Sequence, residues 1–252
     1  MIRNATSVFT DSCGKEVPEE QPQFFNLNAN DGDIYQFAGG HIPSHWHKEL
    51  ELFLLYKGQV QVGIGDCTYQ LQAGDGCFIN TEVIHSFTAR SPAPCTYRSF
   101  VFSPEIIGGT PGSIFDTAYV RPLLEQGVPY LKLQEKMGDS IYFEQFEKAF
   151  ASCAEEPYGY EFLVRDALSA ILLHVTSKSK IAPARAIPSI QETRLKEMLL
   201  YIDKNLGTHI SVSGIAEAAN ICPRECQRIF NQYLHYSPIA YVQRKRVFAA
   251  AK

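Results

Sequence analysis

Residues 39–58 read GGHIPSHWHKELELFLLYKG, and the spacing of their polar groups decides how the rest of the chain is read. Gly39 is followed, after five residues, by His45, and then by His47, Glu51 and Gly58. Along an extended strand alternate residues share a face. His45, His47 and Glu51 all carry odd numbers, so a strand turns them to one side. Trp46, the only tryptophan, falls to the other side, where it is expected to pack. His41 has the parity to join the inward group, but it precedes Pro43 and fits a loop. A second segment, residues 74–85, opens on Gly74-Asp75 and closes on His85. A barrel can bring His85 opposite the first three. Three imidazoles and a carboxylate are a donor set for a divalent metal such as Zn, Ni, Fe or Mn. The same groups can instead fill the barrel or hydrogen-bond a small polar ligand.

The surroundings of these segments are strand-like. Across residues 24–104, short apolar alternations are punctuated by Gly39-Gly40, Gly58, Gly65-Asp66 and Gly74-Asp75. Residues 59–64, the turn at Gly65-Asp66-Cys67 and residues 68–71 predict a hairpin. Closely spaced short strands indicate an all-β sandwich or barrel. Residues 1–23, with Pro18 and Pro22, lack periodicity and read as an arm.

Beyond residue 104 the pattern changes. Residues 105–139 mix turns with a short helix at about 114–126. Residues 142–154 then place Phe143, Phe146, Ala149, Phe150 and Cys153 on one helical face. Pro157-Tyr158-Gly159 breaks the pattern. Residues 161–177 resume it with Phe162, Ala167, Leu168, Ile171, Leu172 and Val175. The region 105–177 thus ends in a helical hairpin. The faces around Phe146 and Phe150, or Leu168 and Ile171, are expected either to form a dimer seam or to pack on the barrel. Residues 178–190, with Pro183 and Pro188, read as a linker, and residues 191–252 are almost wholly helical in pattern.

Charge divides at that linker. The 252 residues carry a net charge of −4, which hides −11 over residues 1–177 and +7 over residues 178–252. An acidic module is joined to one able to meet a polyanion. Apolar residues make up 45%, ordinary for a soluble protein. No apolar run approaches the ~18 residues needed to span a bilayer, and the N-terminus lacks a secretory h-region. Seven cysteines without paired C-x-x-C spacing indicate reduced thiols in a cytoplasm.

The basic module contains VSGIAEAANICPRECQRIFNQY at residues 212–233, a helix-turn-helix spacing. Ser211 is a suitable N-cap. Ile215, Ala216 and Ala219 give the first helix its inward face. Asn220 stands at the turn position that often needs a positive φ. Ile221 plugs the turn, and Pro223 opens the second helix without losing a hydrogen bond. Cys226, Ile229 and Phe230 face inward. Cys222 stands where a Ser or Thr cap is expected. Arg224, Gln227, Arg228 and Asn231 face outward and can donate to phosphates or base edges. Glu225 can accept from cytosine or form a surface ion pair. A third helix over residues 238–251 carries Arg244-Lys245-Arg246.

The first motif resembles the cupin superfamily's G-x5-H-x-H-x3,4-E-x6-G at every fixed position. The second segment fits at Gly74 and His85; Asn80, Thr81 and Glu82 replace the usual Pro and Gly, and no Asn follows His85 at the usual spacing. Residues 210–246 resemble the AraC-type regulators, through Ile210, Ser211, Val212, Ile215, Ala216, Ile221, Pro223, Phe230, Ser237, Pro238, Tyr241, Arg244 and Arg246. Cys222 departs from that pattern. The resemblance spans residues 24 to 252 and implies a two-domain α+β chain: a cupin-type β-barrel with a helical hairpin, then an all-α helix-turn-helix domain. The family joins two helix-turn-helix units by a long helix. Here residues 238–251 correspond to that helix, and only the first unit lies within the 252 residues.

The resemblance implies a ligand-responsive, DNA-binding transcription regulator, cytoplasmic and homodimeric, not an enzyme. Its effector is expected to be a small polar metabolite, a sugar among the candidates, bound by His45, His47, Glu51 and His85. Two alternatives use the same residues as metal ligands: a regulator that senses the metal itself, and a metal-dependent cupin enzyme. For the enzyme, Glu49, Tyr56 and Glu82 are the nearby acid–base groups, and the appended helix-turn-helix argues against it.

Overall fold

The computed structural model describes residues 2–3, 25–179, 190–234 and 236–250. The expected linker falls mostly outside them, as does the arm apart from β1 (Ile2–Arg3), which pairs in parallel with β2 (Leu27–Asp33).

The strand-like region folds as predicted into closely connected strands. These are β3 (His41–His45), β4 (Leu50–Leu55), β5 (Gln59–Ile64), β6 (Cys67–Gln72), β7 (Asp75–Ile79), β8 (His85–Ala89) and β9 (Thr96–Phe102). Two sheets face each other, one in the order β3-β8-β5-β6 and one in the order β1-β2-β9-β4-β7-β10, where β10 is Tyr130–Gln134. The expected hairpin is β5–β6, with Val60 opposite Leu71 and Ile64 opposite Cys67. Gly65 turns it at φ +54°, a conformation that costs glycine little.

The alternation of side chains explains the layers. On β4, Phe53 and Leu55 point between the sheets, while Leu50, Leu52 and Leu54 point outward beneath the helices. All six residues of β4 are buried, as expected for a central strand covered on both faces. The space between the sheets is closed by apolar packing. Phe53 stacks on Phe87 at 4.5 Å and on Tyr97 at 5.0 Å between ring centroids.

Past β9 come α1 (Glu105–Gly108) and α2 (Arg121–Gln126), the latter preceded by a π-turn over Asp116–Val120. This corresponds to the helix expected at 114–126. The region also holds a strand that its turn-rich sequence concealed. β10 (Tyr130–Gln134) pairs with β7 and completes the edge of the larger sheet.

The hairpin is α3 (Ser140–Glu155) and α4 (Tyr160–Ser179). Phe146, Phe150, Leu168 and Ile171 are buried in one cluster with the outer face of the larger sheet, through Leu52, Phe100 and Phe102. Those faces are therefore covered within the chain, which corrects their candidacy as a dimer seam. Tyr142 anchors α3 by donating its hydroxyl to the Phe53 carbonyl at 2.8 Å. Its ring lies where a Cβ on Gly76 would stand, 2.4 Å from Cε1, so only glycine admits it.

The last domain comprises α5 (Ile190–Lys204), α6 (Val212–Ala218), α7 (Pro223–Leu234) and α8 (Pro238–Ala250). The expected details recur. Ser211 caps α6 by accepting from the Gly214 amide, and Asn220 adopts φ +52° in the turn. No helix among the described residues is long and apolar enough to cross a membrane.

Candidate functional site

The two motifs meet at one end of the space between the sheets. His45 closes β3, His47 lies in the turn to β4, Glu51 sits within β4 and His85 opens β8. All four are buried, and a ligating atom from each lies within 4.8 Å of the others. His41 has the parity to join them but is expected in a loop; it instead opens β3, and a bulge turns it away. His41 pairs with Thr88 and Ile42 with Phe87, whereas His45 pairs with His85. Three residues of β3 thus advance against two of β8, and the alternation flips at Pro43-Ser44. His41 is left outside, its Nδ1 2.9 Å from the Thr88 hydroxyl.

Backbone carbonyls orient the three imidazoles. Nδ1 of His45 lies 2.8 Å from the Pro43 oxygen, Nδ1 of His47 3.0 Å from the Glu49 oxygen, and Nδ1 of His85 2.8 Å from the Val83 oxygen. A carbonyl can only accept, so each Nδ1 carries the proton. Each ring then turns its Nε2 into the cluster. His85 Nε2 is 2.9 Å and His47 Nε2 3.4 Å from Glu51 Oε2.

The electrostatics run the same way. Burial, with help from the two neighbouring imidazoles, holds the His45 pKa well below its ordinary 6.5. Burial raises that of Glu51, but hydrogen bonds and the charges of His47 and His85 outweigh it and keep the carboxyl far below the usual range. The carboxylate is ionised and buried among the three rings. A positive charge, a proton or a metal ion, is needed among these atoms to balance it. Backbone-oriented imidazoles are the usual outer-shell arrangement of a metal site.

The residues expected to provide acid–base chemistry are differently engaged. The Tyr56 hydroxyl donates to Glu147 on α3. Glu82 is 3.6 Å from Lys196 of α5, and Glu49 contributes its backbone carbonyl.

On α7, Arg224, Gln227, Arg228 and Asn231 are all exposed, as their spacing predicted. Arg228 is engaged there, donating to both carboxylate oxygens of Glu225 (2.9 and 2.8 Å) and to Gln232 (2.8 Å). Glu225 is therefore its ion-pair partner. Cys222 is exposed and Cys226 is buried.

Sequence reasoning missed the contacts between the two domains. Trp46 packs away from the cluster as expected, but into the core of the helix-turn-helix domain, together with Ile84. Glu82 adopts φ +58° in the stretch where the second motif has lost its glycine. That replacement was the available signal.

A double-sheet domain with a buried His-His-Glu-His cluster is thus followed by a helix-turn-helix domain. Residues 32–139 match the model of the AraC-like ligand binding domain family. The chain is 25% identical over 236 residues to YdeC of Bacillus subtilis (strain 168), described as an uncharacterized HTH-type transcriptional regulator, covering 92% of this chain and 80% of that one. Among solved structures it is similar to ToxT from Vibrio cholerae, with TM-score 0.44 and 11% identity over 86% of this chain and 98% of that one. It is also similar to the AraC-like transcriptional activator CuxR, with TM-score 0.34 and 13% identity over 81% of this chain and 67% of that one.

Proposed function

We propose that the chain is a cytoplasmic, DNA-binding regulator whose effector site is the cluster of His45, His47, Glu51 and His85, and that a divalent metal is the ion held there. The observation that carries this reading is the orientation of the imidazoles. Three Nδ1 atoms are committed to backbone carbonyls, and the opposite nitrogens converge on an ionised carboxylate. Imidazole nitrogens with one carboxylate suit Zn, Ni, Fe or Mn. A bound metal would supply the positive charge that balances Glu51. The residues themselves hold the tautomers and keep water out of a site with all four ligands buried.

A small polar metabolite inside the barrel has less support, because Phe53, Phe87 and Tyr97 fill the space between the sheets. A regulatory rather than catalytic role is favoured by the engagement of Tyr56 with Glu147 and of Glu82 with Lys196. The α7 face of Arg224, Gln227, Arg228 and Asn231 is the one we assign to DNA. We assign the homodimer seam to the outward side of α4, where Phe162 and Leu173 are exposed.

The test is metal content. Protein purified without a metal-affinity tag is expected to carry or take up about one equivalent of divalent metal, and His47→Ala none. Equal, near-zero binding by both after metal addition contradicts the proposal.

A further inference from the structure

We infer that the cluster is mechanically joined to the helix-turn-helix domain, so that a divalent cation in the cluster strengthens the docking of that domain on the barrel. This rests on the cluster being a metal site. The residues that touch the DNA-binding domain lie between and beside the ligands. Trp46 stands between His45 and His47, and its buried ring joins the apolar core of the helical domain. Ile84 immediately precedes His85 and joins the same core. Glu82, three residues before His85, pairs with Lys196 at 3.6 Å. Lys196 in turn places its ammonium 5.2 Å from the centroid of the Trp46 ring. One side chain of α5 thus bridges both ligand-bearing segments.

The two segments are also tied to each other. The Glu82 amide donates to the His47 carbonyl at 2.7 Å, which holds Glu82 at φ +58°. That conformation is one that a non-glycine residue rarely adopts. A third contact comes from the β5–β6 turn. Its Gly65 amide donates to the Ile84 carbonyl at 3.3 Å, and Asp66 accepts from Gln232 and Tyr233 of α7. Gln232 also accepts from Arg228. A contact path therefore runs from the ligand loop to the helix whose exposed face is assigned to DNA.

The direction follows from where the ligands sit. His45 and His47 come from one segment and His85 from another, and Glu51 lies behind both. A cation shared by all four fixes the spacing between the segments. Trp46 and Ile84 form one surface for the helical domain only at that spacing. A ligand that binds one arrangement better shifts the population towards it, and the reciprocal holds: weakening the docking must weaken the metal.

The experiment is a zinc(II) titration of the full chain, with affinity measured by competition against a chromophoric chelator and Trp46 emission followed in parallel. Wild type is expected to bind one zinc, with an emission change at the same midpoint. Lys196→Glu touches no ligand but removes the cation over Trp46 and repels Glu82. It should lower zinc affinity roughly three- to tenfold, from the usual size of one exposed ion pair and one cation–π contact. Lys196→Ala should lie between, and serves if Lys196→Glu fails to fold. The charge-swapped pair Glu82→Lys with Lys196→Glu should recover most of the loss. Equal zinc affinity in wild type and the Lys196 variants, with Trp46 emission unmoved by zinc, overturns the inference and leaves the metal site standing. Absence of zinc binding in wild type overturns both.

Discussion

His45 shows most sharply what burial demands of a single residue. Its ring is enclosed, its Nδ1 is engaged by the Pro43 carbonyl, and protonation would place a charge beside two other imidazoles. Its folded pKa is therefore depressed from 6.5. The sign follows directly. Above pH 6.5 neither the folded nor the unfolded chain protonates this ring, and it contributes nothing to pH dependence. Below that value the unfolded chain takes up a proton that the folded one refuses, so stability falls as pH falls until the folded pKa is reached. The slope approaches about 1.4 kcal/mol per pH unit for one such group. Thermal unfolding of metal-free protein at pH 7.5 and 5.5 should show this loss, and His45→Asn should reduce it. An unchanged difference in that variant would assign the titration to another group. With metal present, protons and metal compete for the same Nε2 atoms. Removing one of those atoms, as in His85→Ala, should cost more than the roughly 10–100-fold in metal affinity typical of losing an outer-shell partner. A smaller loss by chelator competition would mean that His85 is not a ligand.

Among the elements, α7 and α3 carry the clearest consequences. On α7, Arg228 is paired with Glu225 and Gln232, so contact with a phosphate requires it to leave them. Arg228→Ala should weaken DNA binding and reduce the slope of log K against log salt by about one. Glu225→Gln should release Arg228 and strengthen binding. An unchanged slope in the first variant, by fluorescence anisotropy across a salt series, would remove Arg228 from the phosphate contacts. Beneath α3, Gly76→Ala on β7 forces the Tyr142 ring from its place, and overpacking of this kind costs about 1–3 kcal/mol. A urea midpoint equal to that of wild type would contradict the packing described. These elements also show what the sequence could reveal. Alternation located the strands around Gly58 and Gly65, and the three-to-four spacing located α3, α4 and the helix-turn-helix. Periodicity registers which face is apolar, but it does not say what covers that face. Phe146 and Leu168 therefore read equally well as a dimer seam or as the sheet contact they make. The β3 bulge escaped because one extra residue reverses parity without changing composition. β10 escaped because five residues beside Pro129 are too few for a pattern among turns.

For the whole molecule, the contrast between acidic and basic halves becomes two modules in contact, with Asp66 of the barrel beside Gln232 and Tyr233 of α7. The four clustered side chains were legible because their spacing is a local property of two short sequence segments, although His45, His47 and Glu51 divide between β3, a turn and β4 rather than sharing one strand. The joint between the modules was not, because Trp46, Glu82 and Lys196 are brought together only by the tertiary fold. The most direct measurement is DNA affinity with and without metal, using duplexes selected from a random library by the full chain. Measured at fixed salt, wild-type affinity should change when a divalent metal replaces chelator. His47→Ala should bind the same DNA with no such change. An equal response in both proteins, or no response in wild type carrying bound metal, would contradict a regulator controlled through the histidine–glutamate cluster.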